Sequence, residues 1–329
     1  MQTVRVGLLG AGICAHRFHA PALLQMNGKF KPVALAGGNP EQNREYAALY
    51  GGIDFITGDY HEVITRPDVD AVIASYPYFL NEQIVATARE YRKHILVEKP
   101  LAQSICSARA LRDLDDGSVV MGVGENWLYF DSVGVVRQLL EDGAIGEPRA
   151  AAIYSLYEMP ADSEYLAGDA WRKSARGGMV LDRSIHSIAY SRAVLGRAAS
   201  VMGVNASARA ELGSQDTMFA LVNYASGVVA SINVCASAPG IQLPFSYLIV
   251  GTEGTIAVSD FMSRVTVSGR DSRVIVTEKK DGGYLAEMEN FYDAIVNGTP
   301  FLGNFRDAYN DLFCAISALE EPNILRAID

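Results

Sequence analysis

Short apolar runs alternate with longer mixed segments from residue 4 to about 123. The runs are VRVGLLG (4–10), PVALAG (32–37), DFIT (54–57), DAVIASYP (70–77), HILVEKP (94–100) and VVMGV (119–123). Several are continuous rather than alternating in hydrophobicity, the pattern of strands covered on both faces. PEQNREYAALYG (40–51) and NEQIVATAREYRK (81–93) between them have helical composition. The first carries Asn39 as N-cap, Pro40 at the first helical position and Gly51 at its close. Strand and helix repeating at this spacing predict an α/β domain on a doubly wound parallel sheet.

The pattern changes after about residue 124. Helices around 132–142 and 179–195 flank a strand near 149–157, and strand-like runs then dominate. They are ASVMGVNASA (199–208), TMFALVNYA (217–225), GVVASINVCA (227–236), FSYLIVG (245–251), GTIAVS (254–259), RVTVS (264–268) and SRVIVTE (272–278). Turn residues such as Ala225-Ser226-Gly227 and Gly251-Thr252-Glu253-Gly254 punctuate them. This predicts an α+β domain on a mostly antiparallel sheet with helices on one face. Helical patterns return at 284–297 and 304–320. A length of 329 residues suits two domains, 1–123 and 124–329, with the last helices free to return to the first.

Composition narrows the class. Hydrophobic residues at 49% and charged residues at 20% are ordinary for a globular chain. The formal net charge of -10 repels phosphate backbones and anionic membranes, so neither nucleic acid nor a membrane surface is an expected partner. VRVGLLG is too short for the apolar core of a signal peptide, and no apolar stretch approaches the roughly 18 residues of a membrane span. Cys14, Cys106, Cys235 and Cys314 form no C-x-x-C pair. They read as free thiols in a reducing compartment, which points to the cytoplasm and away from a metal site.

Gly10-Ala11-Gly12-Ile13-Cys14-Ala15 follows the first strand-like run and precedes HRFHAPALLQM (16–26), which can form a helix at least as far as its proline. This is the G-x-G-x-x-G/A fingerprint of a Rossmann domain in its strand-to-helix context. Gly10 permits the tight turn, Gly12 admits a pyrophosphate, and Ala15 allows helix to pack on strand. The helix N-terminus then offers N–H groups to phosphate. The second strand ends Ala36-Gly37-Gly38-Asn39, without the acid that NAD binders use to hold the ribose 2′-hydroxyl. Asn39 or Arg44 could meet a 2′-phosphate, so the site leans toward NADP. The alternative is that Gly37 and Gly38 simply make a turn and either cofactor binds.

Two further features carry chemistry. Glu98-Lys99-Pro100 lies at the carboxyl end of the fifth strand, where doubly wound sheets bind ligands. Lys99 there can polarise a hydroxyl or carbonyl oxygen, or it can be a surface lysine paired with Glu98. In Gly177-Gly178-Met179-Val180-Leu181-Asp182-Arg183-Ser184-Ile185-His186, Asp182 and His186 are four apart and share a helix face. An imidazole beside a carboxylate can take the proton of an alcohol while hydride leaves the same carbon. The structural alternatives are a capping aspartate and a satisfied, half-buried histidine. His16 and His19 read as cofactor-side or surface residues.

This set resembles the glucose–fructose oxidoreductase/inositol dehydrogenase (Gfo/Idh/MocA) family. Lesser marks agree along the chain: His19-Ala20-Pro21-Ala22-Leu23, Ser75-Tyr76-Pro77, Trp171-Arg172, Gly251-Thr252-Glu253-Gly254-Thr255 and Glu287-Met288-Glu289-Asn290-Phe291. The resemblance implies catalytic positions at Lys99, Asp182 and His186, with His186 as acid/base. It also implies cofactor contacts from Gly10, Gly12, Ile13, Cys14, Ala15, Ser75, Tyr76, Pro77, Glu98, Lys99 (at the nicotinamide ribose), Trp171 and Arg172. Asn126, Tyr129 and Tyr157 fall where substrate is expected, and dimers or tetramers form through the open sheet face. Departures are Arg183 and Ser184 after the aspartate, Tyr190 where an aspartate is common, and Asn81, counted with the cofactor residues, in the region of a usual histidine.

The expected activity is an NAD(P)-dependent dehydrogenase or reductase acting on a secondary alcohol or ketone of a sugar, cyclitol or related polyol. Redox-assisted glycoside cleavage with a retained cofactor, and a non-catalytic NAD(P)-binding sensor, are the competing readings.

Overall fold

A computed structural model describes residues 2–167, 171, 175–241, 243–278 and 281–328. Two compact units divide the chain, Met1–Tyr129 with Asp281–Tyr309, and Phe130–Lys280 with Asn310–Asp329.

The first unit is built on a six-stranded parallel sheet of β1 (Val4–Leu9), β2 (Phe30–Ala36), β3 (Phe55–Thr57), β4 (Ala71–Ala74), β5 (His94–Glu98) and β6 (Met121–Gly124). Its order, β3-β2-β1-β4-β5-β6, makes it the doubly wound Rossmann sheet that the alternating pattern predicts. The order reverses between β1 and β4, which opens the crevice outside the carboxyl ends of these strands. All residues of β4 are buried, as continuous hydrophobicity requires of a strand covered on both faces. Helices α1 (Ala20–Gln25), α2 (Pro40–Ala48), α3 (Tyr60–Ile64), α4 (Asn81–Glu90) and α5 (Ile105–Leu114) connect the strands.

Pro21 does not end the first helix. A π-turn over Ala15–His19 precedes α1, and Pro21 sits in the first turn of α1, where the missing N–H costs no ladder bond. Asn39 caps α2 as expected, its Oδ1 accepting from the N–H groups of Glu41 (2.9 Å) and Gln42 (3.2 Å).

The second unit begins with α6 (Asp131–Glu141) and holds α7 (Gly178–Leu195), with a nine-stranded sheet. Its strands are β7 (Pro148–Leu156), β8 (Ala198–Ala206), β9 (Thr217–Tyr224), β10 (Val229–Cys235), β11 (Leu243–Gly251), β12 (Thr255–Ser259), β13 (Arg264–Ser268), β14 (Arg273–Val276) and the short β15 (Arg326–Ala327). The order is β14-β13-β12-β11-β7-β10-β9-β8-β15, antiparallel throughout except for the parallel pair β7/β10. One face packs against α7, which lies on β7, β9 and β10.

The other face is open and apolar. Val204, Phe219, Tyr154, Leu221, Leu248 and Val250 are all exposed on it. They form adjoining rows because Val204 pairs with Phe219, Asn233 with Tyr154, and Leu248 with Ala152.

Helix α8 (Tyr284–Asn297) belongs to the first unit, and α9 (Phe305–Glu320) starts in the first and ends in the second. No helix among the described residues is long and apolar enough to cross a membrane.

Candidate active site

In the first unit β1 ends at Leu9, and Gly10 turns away with φ +92. A Cβ on Gly10 would stand 3.0 Å from the Ser75 carbonyl oxygen, so β1 and β4 approach here only because the side chain is absent. At Gly12 nothing lies within 4 Å of where a Cβ would be, and the residue is exposed. Ile13 and Cys14 are half-buried, and Ala15 packs into the core with Val6 and Leu8. The backbone from Gly12 to Ala15 is therefore an uncovered helix start backed by a packed alanine. It is a surface that fits a dinucleotide pyrophosphate.

At the end of β2, Gly37 packs so closely on Asn43 that a Cβ would overlap its side-chain amide. Asn43 Nδ2 donates to the Gly37 carbonyl at 2.8 Å. Gly38 is open, and Asn39 and Arg44 are exposed on the first turns of α2. No carboxylate stands on 36–39. Past β4, Ser75, Tyr76 and Pro77 are half-buried. Burial and the nearby Asp59 raise the Tyr76 phenol above its ordinary value.

Around β5 the geometry is denser than the motif suggests. Glu98 is buried, and its Oε1 lies 2.8 Å from His19 Nε2. His19 Nδ1 is 3.1 Å from Ser75 Oγ, and Glu98 Oε2 accepts the Lys99 backbone N–H at 3.2 Å. The imidazole of His19 is only 2% exposed, which corrects its reading as a surface residue. Lys99 is half-buried, and the Lys99-Pro100 peptide is cis.

Asn81 is wholly buried at the start of α4. Its Nδ2 donates to the carbonyls of Glu98 (3.1 Å), Pro100 (3.3 Å) and Leu101 (3.1 Å). With no accessible surface, its side chain supports the loop in this conformation. That corrects its grouping with residues that touch a cofactor.

Asn126 Nδ2 donates to the Gly282 carbonyl at 2.7 Å, and Tyr129 Oη donates to Asn290 Oδ1 at 2.8 Å. Both side chains thus have polar partners within the first unit. Burial and the carboxylate of Glu287 push the Tyr129 phenol up.

Glu287 entered the sequence argument only as the first residue of the mark Glu287-Met288-Glu289-Asn290-Phe291, with no role of its own. It is fully buried, and burial together with Glu98, Glu125 and Asp281 holds its carboxyl well above the usual range. The only signal was an acid on the stripe of α8 that also carries Phe291, four residues on.

In the second unit, Gly177 (φ +72) and Gly178 (φ +52) turn the chain into α7. A Cβ on Gly178 would stand 2.7 Å from the Leu212 carbonyl oxygen. Asp182 is half-buried and His186 buried, one turn apart on α7. Arg183 turns toward β7. Its Nε donates to Ser155 Oγ at 3.0 Å, and its guanidinium lies 5.4 Å from the centre of the Tyr157 ring and 5.9 Å from that of Phe261. Burial, opposed by Arg183 and helped by Asp182, pushes the Tyr157 phenol up to about 12.

Tyr190 is fully buried against Phe245 and Tyr247, and its hydroxyl donates to Ser132 Oγ at 3.0 Å. The position where an aspartate is common is therefore a core position here. Trp171 is half-buried, and its carbonyl accepts from the Ala175 N–H at 2.9 Å. Arg172 lies outside the described residues.

A doubly wound sheet with an uncovered phosphate cradle, followed by an α+β unit carrying a carboxylate–imidazole helix face, defines the class of dinucleotide-binding oxidoreductases. Residues 4–123 match the model of the oxidoreductase family with an NAD-binding Rossmann fold, and residues 133–257 match the GFO/IDH/MocA C-terminal domain. The chain belongs to the Gfo/Idh/MocA family of NAD-binding oxidoreductases.

Among its relatives is the levoglucosan dehydrogenase of Pseudarthrobacter phenanthrenivorans, 28% identical over 288 residues, 78% of this chain and 73% of the relative. The myo-inositol 2-dehydrogenase of Thermotoga maritima is 23% identical over 311 residues, 90% of each. A levoglucosan dehydrogenase solved in complex with NADH and levoglucosan superposes with a TM-score of 0.88 at 25% identity, covering 99% of this chain and 100% of that one.

Proposed function

We propose that this oxidoreductase interconverts a secondary alcohol and a ketone on a sugar, cyclitol or related polyol, with Lys99, Asp182 and His186 as its working residues. The observation that carries this reading is the Asp182–His186 pair on one face of α7, in a chain that also holds an open phosphate cradle and a lysine at the carboxyl end of β5. The names of the relatives, dehydrogenases of levoglucosan and myo-inositol, support the substrate class.

A nicotinamide cofactor, held by the turn from Gly10 to Ala15, would supply the hydride acceptor for oxidation and the hydride donor for reduction. His186 takes the hydroxyl proton as the carbon loses hydride, and gives it back in the reverse reaction. Asp182 orients the imidazole and substrate hydroxyls. The ammonium of Lys99 stabilises alkoxide character on the reacting oxygen. Purified protein incubated with a panel of sugars and cyclitols should change the near-ultraviolet absorbance of reduced nicotinamide. Absence of any change across the panel with both cofactors would overturn the reading.

The cofactor we propose is NADP in preference to NAD. The turn after β2 carries no acid to engage a 2′-hydroxyl, the side-chain Oδ1 of Asn39 is held by the α2 cap, and Arg44 is exposed on the next turn. Arg44→Ala should weaken NADPH binding about tenfold and NADH binding less than about twofold in a fluorescence titration, since one charged contact is worth roughly 1.5 kcal/mol. Tighter binding of NADH by the unaltered protein would reverse the assignment.

The protein is further proposed to be a cytoplasmic homodimer or homotetramer, joined through the open sheet face. None of its four cysteines is in a disulfide, and the exposed row of Phe219, Leu221 and Leu248 is a large apolar patch to leave in water. Leu221→Arg should shift light-scattering mass to the monomer while the circular dichroism of the sheet stays the same. An unaltered mass would remove this face from the assembly.

A further inference from the structure

We propose that Asn81 and His19 are positioning residues that hold the backbone of Lys99 from two sides. This rests on the reading of Lys99 as the group that meets the reacting oxygen.

From one side, Asn81 donates to the carbonyls of Glu98, Pro100 and Leu101, which bracket Lys99 before and after. A primary amide has two N–H groups, so three acceptors at hydrogen-bond distance use all of its donor capacity. Its Oδ1 has no hydrogen-bond partner among the described residues, and the three bonds of this buried side chain are all directed at the one loop. An isosteric carboxylate could make none of these bonds when ionised.

From the other side, the Lys99 N–H is held by Glu98 Oε2 at 3.2 Å, Glu98 Oε1 faces His19 Nε2 at 2.8 Å, and His19 Nδ1 meets Ser75 Oγ at 3.1 Å. The Ser75 N–H donates to the Leu9 carbonyl at 2.7 Å, so the chain of contacts ends on the β1 backbone, one residue before the cradle glycine.

The surroundings explain why a histidine stands opposite Glu98. Glu287 is electrostatically coupled to Glu98, Glu125 and Asp281, and Tyr284 to Glu98, Glu125, Glu287 and Cys14. These groups favour neutral forms, and a second negative charge near Glu98 is disfavoured. The imidazole of His19 is a basic group 2.8 Å from the Glu98 carboxyl, so it steadies the side chain that holds Lys99. A long lysine transmits any displacement of its Cα to Nζ, and a misplacement of about 1 Å can cost about a hundredfold in rate.

Steady-state kinetics, cofactor titration, melting and hydrogen–deuterium exchange of the ligand-free protein test this directly. Asn81→Asp should lower kcat by about 10- to 100-fold with cofactor affinity near that of the unaltered protein, and should lower the melting temperature, because a wholly buried side chain loses its three hydrogen bonds. Exchange over residues 98–101 should accelerate in the same variant. Asn81→His, which keeps a ring N–H in the place of the amide donor, should recover most of the lost kcat. His19→Ala should lower kcat likewise, and Ser75→Ala should do so more weakly.

Unaltered kcat and exchange in Asn81→Asp would overturn the proposal, as would a loss explained wholly by weaker cofactor binding. If Asn81→Asp does not fold, Ser75→Ala and His19→Gln decide the matter by the same exchange measurement. An active enzyme silenced by Lys99→Ala but indifferent to Asn81 and His19 defeats the positioning role and leaves the proposed function standing. Faster exchange in Asn81→Asp, in a protein that turns over no polyol, supports the clamp and defeats the proposed function.

Discussion

Lys99→Ala is expected to lower kcat by about 10²- to 10³-fold, and His186→Ala by about 10²- to 10⁴-fold, in the polyol assay with the preferred cofactor. The first figure is the usual cost of losing one preorganised donor to a developing oxyanion, the second that of losing a general acid/base. In the proposed mechanism one group stabilises the oxygen and the other carries the proton of a single O–H bond, so their losses should not add. The double variant should be little slower than the slower single one. Asp182→Asn is expected to fall between, because the amide keeps the shape but not the charge that steadies an imidazolium. Cofactor affinity of Lys99→Ala should change far less than kcat. If both single variants retain full kcat, the chemistry belongs to other residues. Proportionate losses of cofactor binding would make Lys99 a binding group only.

Gly178→Ala is expected to destabilise the protein by about 3 kcal/mol. Two causes act together. The residue has φ +52, where an L side chain costs roughly 1–2 kcal/mol. The new Cβ would stand 2.7 Å from the Leu212 carbonyl oxygen and 3.3 Å from the Gly213 Cα. These are backbone atoms that cannot swing aside, so overpacking adds about 1–3 kcal/mol. A melting point lower by roughly 6–12 °C follows for a unit of this size. Since Gly178 begins α7, the same strain should disturb Asp182 and His186 one to two turns on, and activity should fall even in the fraction that folds. The glycine pair is thus a backbone requirement of the helix that carries the acid/base pair. A melting curve that overlays the unaltered one would show that the 206–216 stretch yields more readily than its packing implies.

Much of this protein was legible because its strongest signals are local. Continuous apolar runs marked β1, β4 and β5 as doubly covered strands, and alternation marked β9, where buried and exposed residues take turns from Met218 to Tyr224. Gly10-Ala11-Gly12 announced a turn that no side chain can occupy, and the structure places Gly10 against Ser75 for that reason. The spacing of Asp182 and His186 needed only the helix period to put them on one face. Less legible was the continuation of the first helix past Pro21, since a π-turn has no compositional signature of its own.

The sequence by itself determined the class of each element, the position of the cradle and the pair on α7, because propensity, period and capping act over a few residues. The tertiary structure alone decided which distant groups meet. His19 and Asn81 carry no mark of their partners, yet one faces Glu98 and the other holds the loop from Glu98 to Leu101. Arg183 could have turned either way until Ser155 and the Tyr157 ring drew it to β7. Tyr190 became a core residue because Phe245 and Tyr247 cover it. Helix α8 joined the first unit through contacts such as Tyr129 to Asn290, 161 residues apart. Periodicity tells a side chain that it will be buried, but its partner across the fold is set by packing and by the need to satisfy every buried polar group.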